Sequence, residues 1–278
     1  MIPDFLNKLI LSLISGFSEL IFVSSSAHQL LYRTVSGFDL TEPALFLAIH
    51  LGILAALMMN CQKYIKRLRY EKRLQRPTKR RRGRQPDPSA IMNIRILNAA
   101  VIPLALGFLA YPKISQWAYS PLLTAVFLLL NGIVLFIPRL LHMGNKNALS
   151  FTQFDGFLMG LCGILGMIPG LSRIGCMYTV AVARGADKDY ALELSTLLSI
   201  PALCALIGFD LYGCSRGDAA VAGLQLLVCI LAAALSFGGA YFAFHLIRYV
   251  VNRSETTGFA YYSWGLAVFL FLLYLIIP

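Results

Sequence analysis

Residues 9–32 read LILSLISGFSELIFVSSSAHQLLY, and their reading decides the fold. Two apolar pieces, 9–18 and 20–32, are separated by Glu19, and the second carries Ser24-Ser25-Ser26 and His28. A helix needs roughly 20 mostly apolar residues to cross a bilayer, so neither piece is a comfortable span. A similar region follows at 156–183, where apolar pieces 156–172 and 174–183 are broken at Pro169-Gly170 and Arg173. Irregular backbone at membrane depth survives only when buried in protein or lining a wet cavity. Each region therefore reads as a re-entrant helical hairpin with its polar break at the tip, the first over 5–33 and the second over 155–184.

The rest of the chain agrees. Of 278 residues, 58% are apolar and 13% charged, with a mean hydropathy of +0.70. A soluble domain averages about 25% charged residues, which excludes a soluble enzyme, a disordered chain and a disulfide-stapled domain. Stretches free of Asp, Glu, Lys and Arg occur at 43–62, 96–112, 114–138, 219–247 and 256–278, and 194–209 suffices when its ends reach Tyr190 and Leu211. The expected fold is an all-α integral membrane protein with about six transmembrane helices and two re-entrant hairpins in an inverted repeat. Residues 1–150 form the first repeat, with spans 43–62, 94–112 and 121–141; residues 151–278 form the second, with spans 190–211, 219–247 and 256–278. The six cysteines form no CxxC pair, mostly lie in apolar stretches and are read as small hydrophobes. Only ten uncharged residues separate Lys8 from Glu19, with no small-residue cleavage pattern, so no cleavable signal is expected.

Charge supplies the orientation. The formal net charge of +11 sits almost wholly on residues 61–92, which hold 12 of the 24 Lys and Arg and only two acids, Glu71 and Asp87. A nucleic-acid partner is therefore not expected, and the arginine-rich 79–84 stretch reads as an orientation signal with attraction to lipid headgroups. The positive-inside rule places the 63–92 loop in the cytoplasm of a multi-pass membrane protein. Span 43–62 then runs inward, 96–112 returns outward and 121–138 comes back to Arg139 and Lys146. The first hairpin opens from outside and the second from inside, while 219–247 ends inside beside Arg248 and Arg253.

A shift of 147 residues lays 42–58 over 189–205 with identities Ala44/Ala191, Leu45/Leu192, Leu47/Leu194, Leu51/Leu198, Ile53/Ile200 and Ala55/Ala202. The same shift superposes Phe22–Ser25 on Pro169–Ser172. Paired short segments in corresponding halves point to a binding site near the membrane midplane.

Ionisable residues inside membrane segments are costly, so Glu19, His28 and Arg173 are the informative charges. The guanidinium of Arg173 offers a planar fork of donors matched to phosphate oxygens. Gly170 and Gly175 allow close backbone approach, and a helix starting near Ser172 would aim amide N–H groups at an anion. Ser24, Ser25, Ser26 and His28 can place hydroxyls and an imidazole around the same group. Two plainer readings stand beside this one: the serines bond their own helices, and Arg173 merely neutralises Glu19. His50, alone on a regular span, reads as helix packing or a water-lined wall; His142 and His245, near span ends, read as interfacial.

The two tips resemble the undecaprenyl-diphosphate phosphatases of bacteria, also called bacitracin-resistance proteins. That family's motifs are E-G-x-x-E-F-x-P-V-S-S-T-G-H and P-G-x-S-R-S-G, which stand here as residues 15–28, SGFSELIFVSSSAH, and 169–175, PGLSRIG. The resemblance extends to length, span count and paired hairpins. The departures are Ser15 for the first glutamate, Phe22 for the proline and Ile174 for the serine after the arginine.

The resemblance implies hydrolysis of a polyprenyl diphosphate to the monophosphate, which recycles the lipid carrier of cell-wall precursors. Catalytic roles fall to Glu19, Ser25, His28 and Arg173, and substrate contacts to Ser24, Ser26, Gly170, Ser172 and Gly175. Ser25 and His28 both stand as nucleophile. Glu19 orients or deprotonates that group, or holds Mg²⁺ or Ca²⁺ as the single carboxylate candidate. Expected partners are the polyprenyl diphosphate and membrane lipids, and a homodimer is an assembly such a chain can form. The rival function is a polyprenyl-phosphate transporter, since broken helices meeting at the midplane also make carriers. A purely structural protein would require both tip clusters to be incidental.

Overall fold

A computed structural model describes residues 4–38, 42–74, 85–141, 144–216, 223–253 and 255–276. Two short helices come first, α1 (Asp4–Glu19) and α2 (Ser25–Ser36). Longer helices follow, α3 (Pro43–Leu74) and α4 (Pro88–Gly107), then a turn of helix α5 (Tyr111–Ile114) between 3-10 segments, and α6 (Pro121–Leu140). The second half repeats the order: short α7 (Gln153–Leu165) and α8 (Arg173–Ala183), then long α9 (Lys188–Arg216), α10 (Leu224–Asn252) and α11 (Thr257–Ile276). Among the described residues the chain is all-helical apart from one isolated bridge, Lys146 to Ala186.

Six helical stretches are long and apolar enough to cross a membrane, and they coincide with the six expected spans. At 1.5 Å per residue, α1, α2, α7 and α8 fall short of the roughly 30 Å hydrocarbon layer. Large apolar side chains, among them Ile133, Ile230, Phe242, Phe269 and Leu272, are exposed on α6, α10 and α11, as lipid-facing residues are in a multi-pass membrane protein.

Local chemistry sets the helix ends. Ser24 caps α2 by accepting the Ala27 amide, and α2 stops at Gly37, whose φ of +66° is left-handed. Ser172 caps α8 through the Gly175 amide, and Thr152 and Asp155 close a reciprocal capping box on α7. Asp87 followed by Pro88 starts α4 in the same way.

One boundary differs from expectation. Residues 63–74, assigned to the basic loop, continue α3 to Leu74, and α4 already begins at Pro88. Lys and Arg are good helix formers, so leaving the apolar span does not end the helix. The 79–84 arginine run and His142 lie outside the described residues.

Packing interleaves the halves. α1 lies along α10, and α7 lies along α4. Both contacts are backbone-close: a Cβ on Gly16 would sit 2.3 Å from the Ser236 carbonyl oxygen, and one on Gly160 would sit 1.9 Å from that of Ala100. Small residues permit such approach where lipid gives no hydrophobic drive between helices. The turn after α1 enters the core with Phe22, whose ring meets Tyr178 at 4.7 Å and Phe259 at 5.7 Å between centroids.

Candidate functional site

The turns at the ends of α1 and α7 meet inside the bundle. The Gly170 amide donates to Ser24 Oγ at 3.0 Å and to Ser26 Oγ at 3.3 Å. Ser172 Oγ donates to the Ile21 carbonyl at 3.3 Å. Gly170 has a φ of +99°, and a Cβ there would lie 2.7 Å from the Thr124 carbonyl oxygen, so the turn needs glycine. Asn131 of α6 binds both turns: its Oδ1 accepts the Ser172 amide at 2.8 Å, and its Nδ2 donates to the Phe22 carbonyl at 3.5 Å and to Ser263 Oγ at 3.0 Å.

Across this junction Arg173 Nη2 donates to Glu19 Oε1. The arginine is 8% exposed and its Nε is a buried donor with no hydrogen-bond partner. Burying a charge is tolerable when it is paired, and the pair here accounts for one edge of the guanidinium only. The N-termini of α2 and α8 converge on the same junction and add their positive dipole ends.

A cavity of about 420 Å³ opens beside the pair. Its polar wall carries Glu19, Ser25, Ser26, Gln29, Ser172 and Arg173, and its apolar wall includes Phe46, Phe108, Leu206 and Phe209. The Gln29 amide donates to Ser15 Oγ at 3.1 Å and to Ser25 Oγ at 3.3 Å, linking the position of the missing glutamate to a cavity hydroxyl.

Other expected site residues sit elsewhere. His28 is not on the cavity wall: its Nδ1 donates to the Ser24 carbonyl at 2.7 Å, and its Nε2 accepts from the Tyr262 hydroxyl at 2.7 Å. Ser24 and Gly170 spend their polar atoms joining the turns. Gly175 gives its amide to Ser172 Oγ and lies where a Cβ would come within 2.8 Å of Leu135. The structure also adds Gln29, Asn131 and Asp210, which sequence reasoning passed over, and puts His50, read as helix packing or a water-lined wall, on the cavity wall. Gln29 and Asn131 bind the site serines and turns, and His50 with Asp210 lines the cavity. Their signals were faint: a lone amide in an apolar span, and an acid at the end of one.

This arrangement can hold an anion by one buried guanidinium and two helix ends, beside hydroxyls and a greasy wall. Comparison with known proteins accords with it. The family description "Bacitracin resistance protein BacA" matches residues 8–269. Proteins named undecaprenyl-diphosphatase are similar over nearly the whole chain. That of Paracoccus denitrificans is 32% identical with 94% of each chain covered, and that of Carboxydothermus hydrogenoformans is 27% identical with the same coverage. The one from Cereibacter sphaeroides is 29% identical, covering 93% of this chain and 91% of its own. The match across both pairs of short helices and all six long helices settles the family: this chain belongs to the bacitracin-resistance BacA proteins.

Proposed function

We propose that this chain hydrolyses undecaprenyl (polyprenyl) diphosphate to the monophosphate and inorganic phosphate within the membrane, recycling the cell-wall lipid carrier and giving bacitracin resistance. The carrying observation is Arg173: a buried guanidinium, half spent on Glu19, with Nε unpartnered beside a cavity that also holds serine hydroxyls. Phosphoryl transfer asks mainly for positioning and charge neutralisation, which this wall supplies. The relatives' shared name, undecaprenyl-diphosphatase, supports the same chemistry.

Arg173 engages the terminal phosphate, Ser172 caps the helix that carries it while its hydroxyl donates to the Ile21 carbonyl, and Glu19 holds the guanidinium in place. Ser25 is the nucleophile, because it lines the cavity whereas both ring nitrogens of His28 are engaged away from it. Its oxygen attacks the terminal phosphorus as the hydroxyl proton passes to a phosphate oxygen, the bridging P–O bond breaks to free the lipid monophosphate, and water then cleaves the phosphoserine ester to restore the hydroxyl and release phosphate. The prenyl chain leaves the cavity along Phe46, Phe108 and Phe209 toward lipid.

A divalent ion of the kind the resemblance implies does not fit these donors. Position 15 carries serine, Glu19 is already neutralised by Arg173, and no three His, Cys, Asp or Glu converge among the described residues.

The proposal includes orientation. The short helices re-enter the membrane, the halves are inverted repeats, and the 63–92 segment faces the cytoplasm. Helix lengths, the reciprocal packing of α1 with α10 and α7 with α4, and the positive-inside rule support this. The cavity is built by one chain, so a homodimer would pair two complete sites.

Phosphate release from farnesyl or undecaprenyl diphosphate by purified protein is the test. Wild type should release phosphate while Arg173→Ala and Ser25→Ala do not. No release across a series of divalent ions, with lipid-phosphate binding intact, would overturn the reading in favour of a carrier.

A further inference from the structure

The cavity has a second polar pole. His50 on α3 and Asp210 on α9 face each other across the α3–α9 packing, with His50 Nδ1 2.6 Å from Asp210 Oδ2. Both line the same cavity as Glu19, Ser25 and Arg173, and both side chains are largely buried, at 12% and 15% exposure. A carboxylate only accepts hydrogen bonds, so Asp210 takes the Nδ1 hydrogen and fixes the ring's orientation. That leaves Nε2 as the ring's remaining polar atom. His28, by contrast, has both nitrogens committed to Ser24 and Tyr262. The imidazole that faces the cavity is therefore on α3, not on the first hairpin.

We propose that His50, held by Asp210, is a specificity residue that binds one phosphate of a lipid diphosphate while Arg173 binds the other. This rests on the diphosphatase reading and adds to it a means of telling diphosphate substrate from monophosphate product. Two poles on one cavity offer a headgroup with two phosphates a partner for each. A monophosphate reaches only one of them. A single proton between Nε2 and a phosphate oxygen makes the contact, whether the ring or the phosphate carries it. Asp210 acts through the ring and is a positioning residue. No bond is made or broken at this pole.

Equilibrium binding separates this from turnover. The full chain in detergent is titrated with a farnesyl methylene-bridged bisphosphonate, which it cannot hydrolyse, and with farnesyl monophosphate. In His50→Ala the bisphosphonate should weaken at least about tenfold, the size of one hydrogen bond to a charged group, with monophosphate affinity within about twofold. His50→Gln, which keeps a donor of similar reach, should recover most of the loss. If His50→Ala does not fold, Asp210→Asn, which keeps the side-chain size, reads the same ratio. Equal losses for both ligands, or no loss for either, would overturn the proposal. Failure of the wild type to release phosphate, with the bisphosphonate preference intact, would instead remove the diphosphatase reading and reduce this one to a binding preference for two phosphates.

Discussion

The imidazole of His28 lies parallel to the ring of Tyr262, with the planes 7° apart and Nε2 2.7 Å from the phenol oxygen. This contact ties α2 to α11, so His28 fastens the helix that carries Ser25. Tyr262→Phe should lower the melting temperature, at a cost of about 0.5–1.5 kcal/mol, while kcat for phosphate release stays within about threefold. A loss of about a hundredfold in kcat would return His28 to the reacting atoms.

Glu19 and Arg173 should behave as one unit. Removing either partner leaves an uncompensated buried charge, at a cost of about 3–5 kcal/mol, whereas replacing both with apolar residues is often close to neutral. Thermal melts of Glu19→Leu, Arg173→Met and the double variant should therefore show the double as more stable than either single. Phosphate release should fall by about a hundredfold or more in every variant lacking Arg173.

Gly170→Ala separates the tip junction from the cavity, since Gly170 itself is not on the cavity wall. A left-handed φ and a 2.7 Å approach to Phe127 and Thr124 predict a cost of at least about 1–3 kcal/mol and loss of activity. Gly37→Ala is the control. Its φ is also left-handed, but nothing lies within 4 Å of the added methyl, so the cost should be about 1 kcal/mol with activity kept.

Asp87 gives a pH dependence outside the membrane. Hydrogen bonds from Ser89, then the Arg67 guanidinium at 2.5 Å, hold its carboxyl down to about 2 from an ordinary 3.8. A depressed carboxyl contributes stability above its unfolded value and loses it as pH falls toward the folded one. Melts of wild type should drop between about pH 4 and pH 2 more steeply than those of Asp87→Asn. Equal slopes would show that the cap carries no such linkage.

Orientation can be read by labelling in a background without native cysteines. Gln85→Cys should react with an impermeant maleimide only after the cells are opened, and Gln116→Cys should react in intact cells. The reverse pattern would invert the topology.

The membrane class, the six spans and the charges Glu19 and Arg173 were legible in sequence, because long apolar runs and the charges that break them stand out. A charge inside an apolar run is costly enough to stand out without knowledge of its partner. His50 was legible as a packing or wall residue, but its pairing was not, because its partner lies 160 residues away and meets it only through α3–α9 packing. Asp210 was hidden by sitting at the end of an apolar run, where an acid is ordinary. Asn131 carries no charge, so its role depends wholly on the two turns that converge on it. The placement of His28 depended on α11, whose Tyr262 reads in sequence as one more aromatic of a span.

The close backbone contact of Gly16 with Ser236 has a consequence for biosynthesis. The ribosome completes α1 by residue 19, yet the helix it rests on ends at residue 252. During nearly the whole of translation, the α1–α2 pair holds its glutamate and serines without its lasting neighbour. Release of a nascent chain shortened before α10 should leave that helix pair exposed to quality-control proteases, and a separately expressed 151–278 fragment should rescue it.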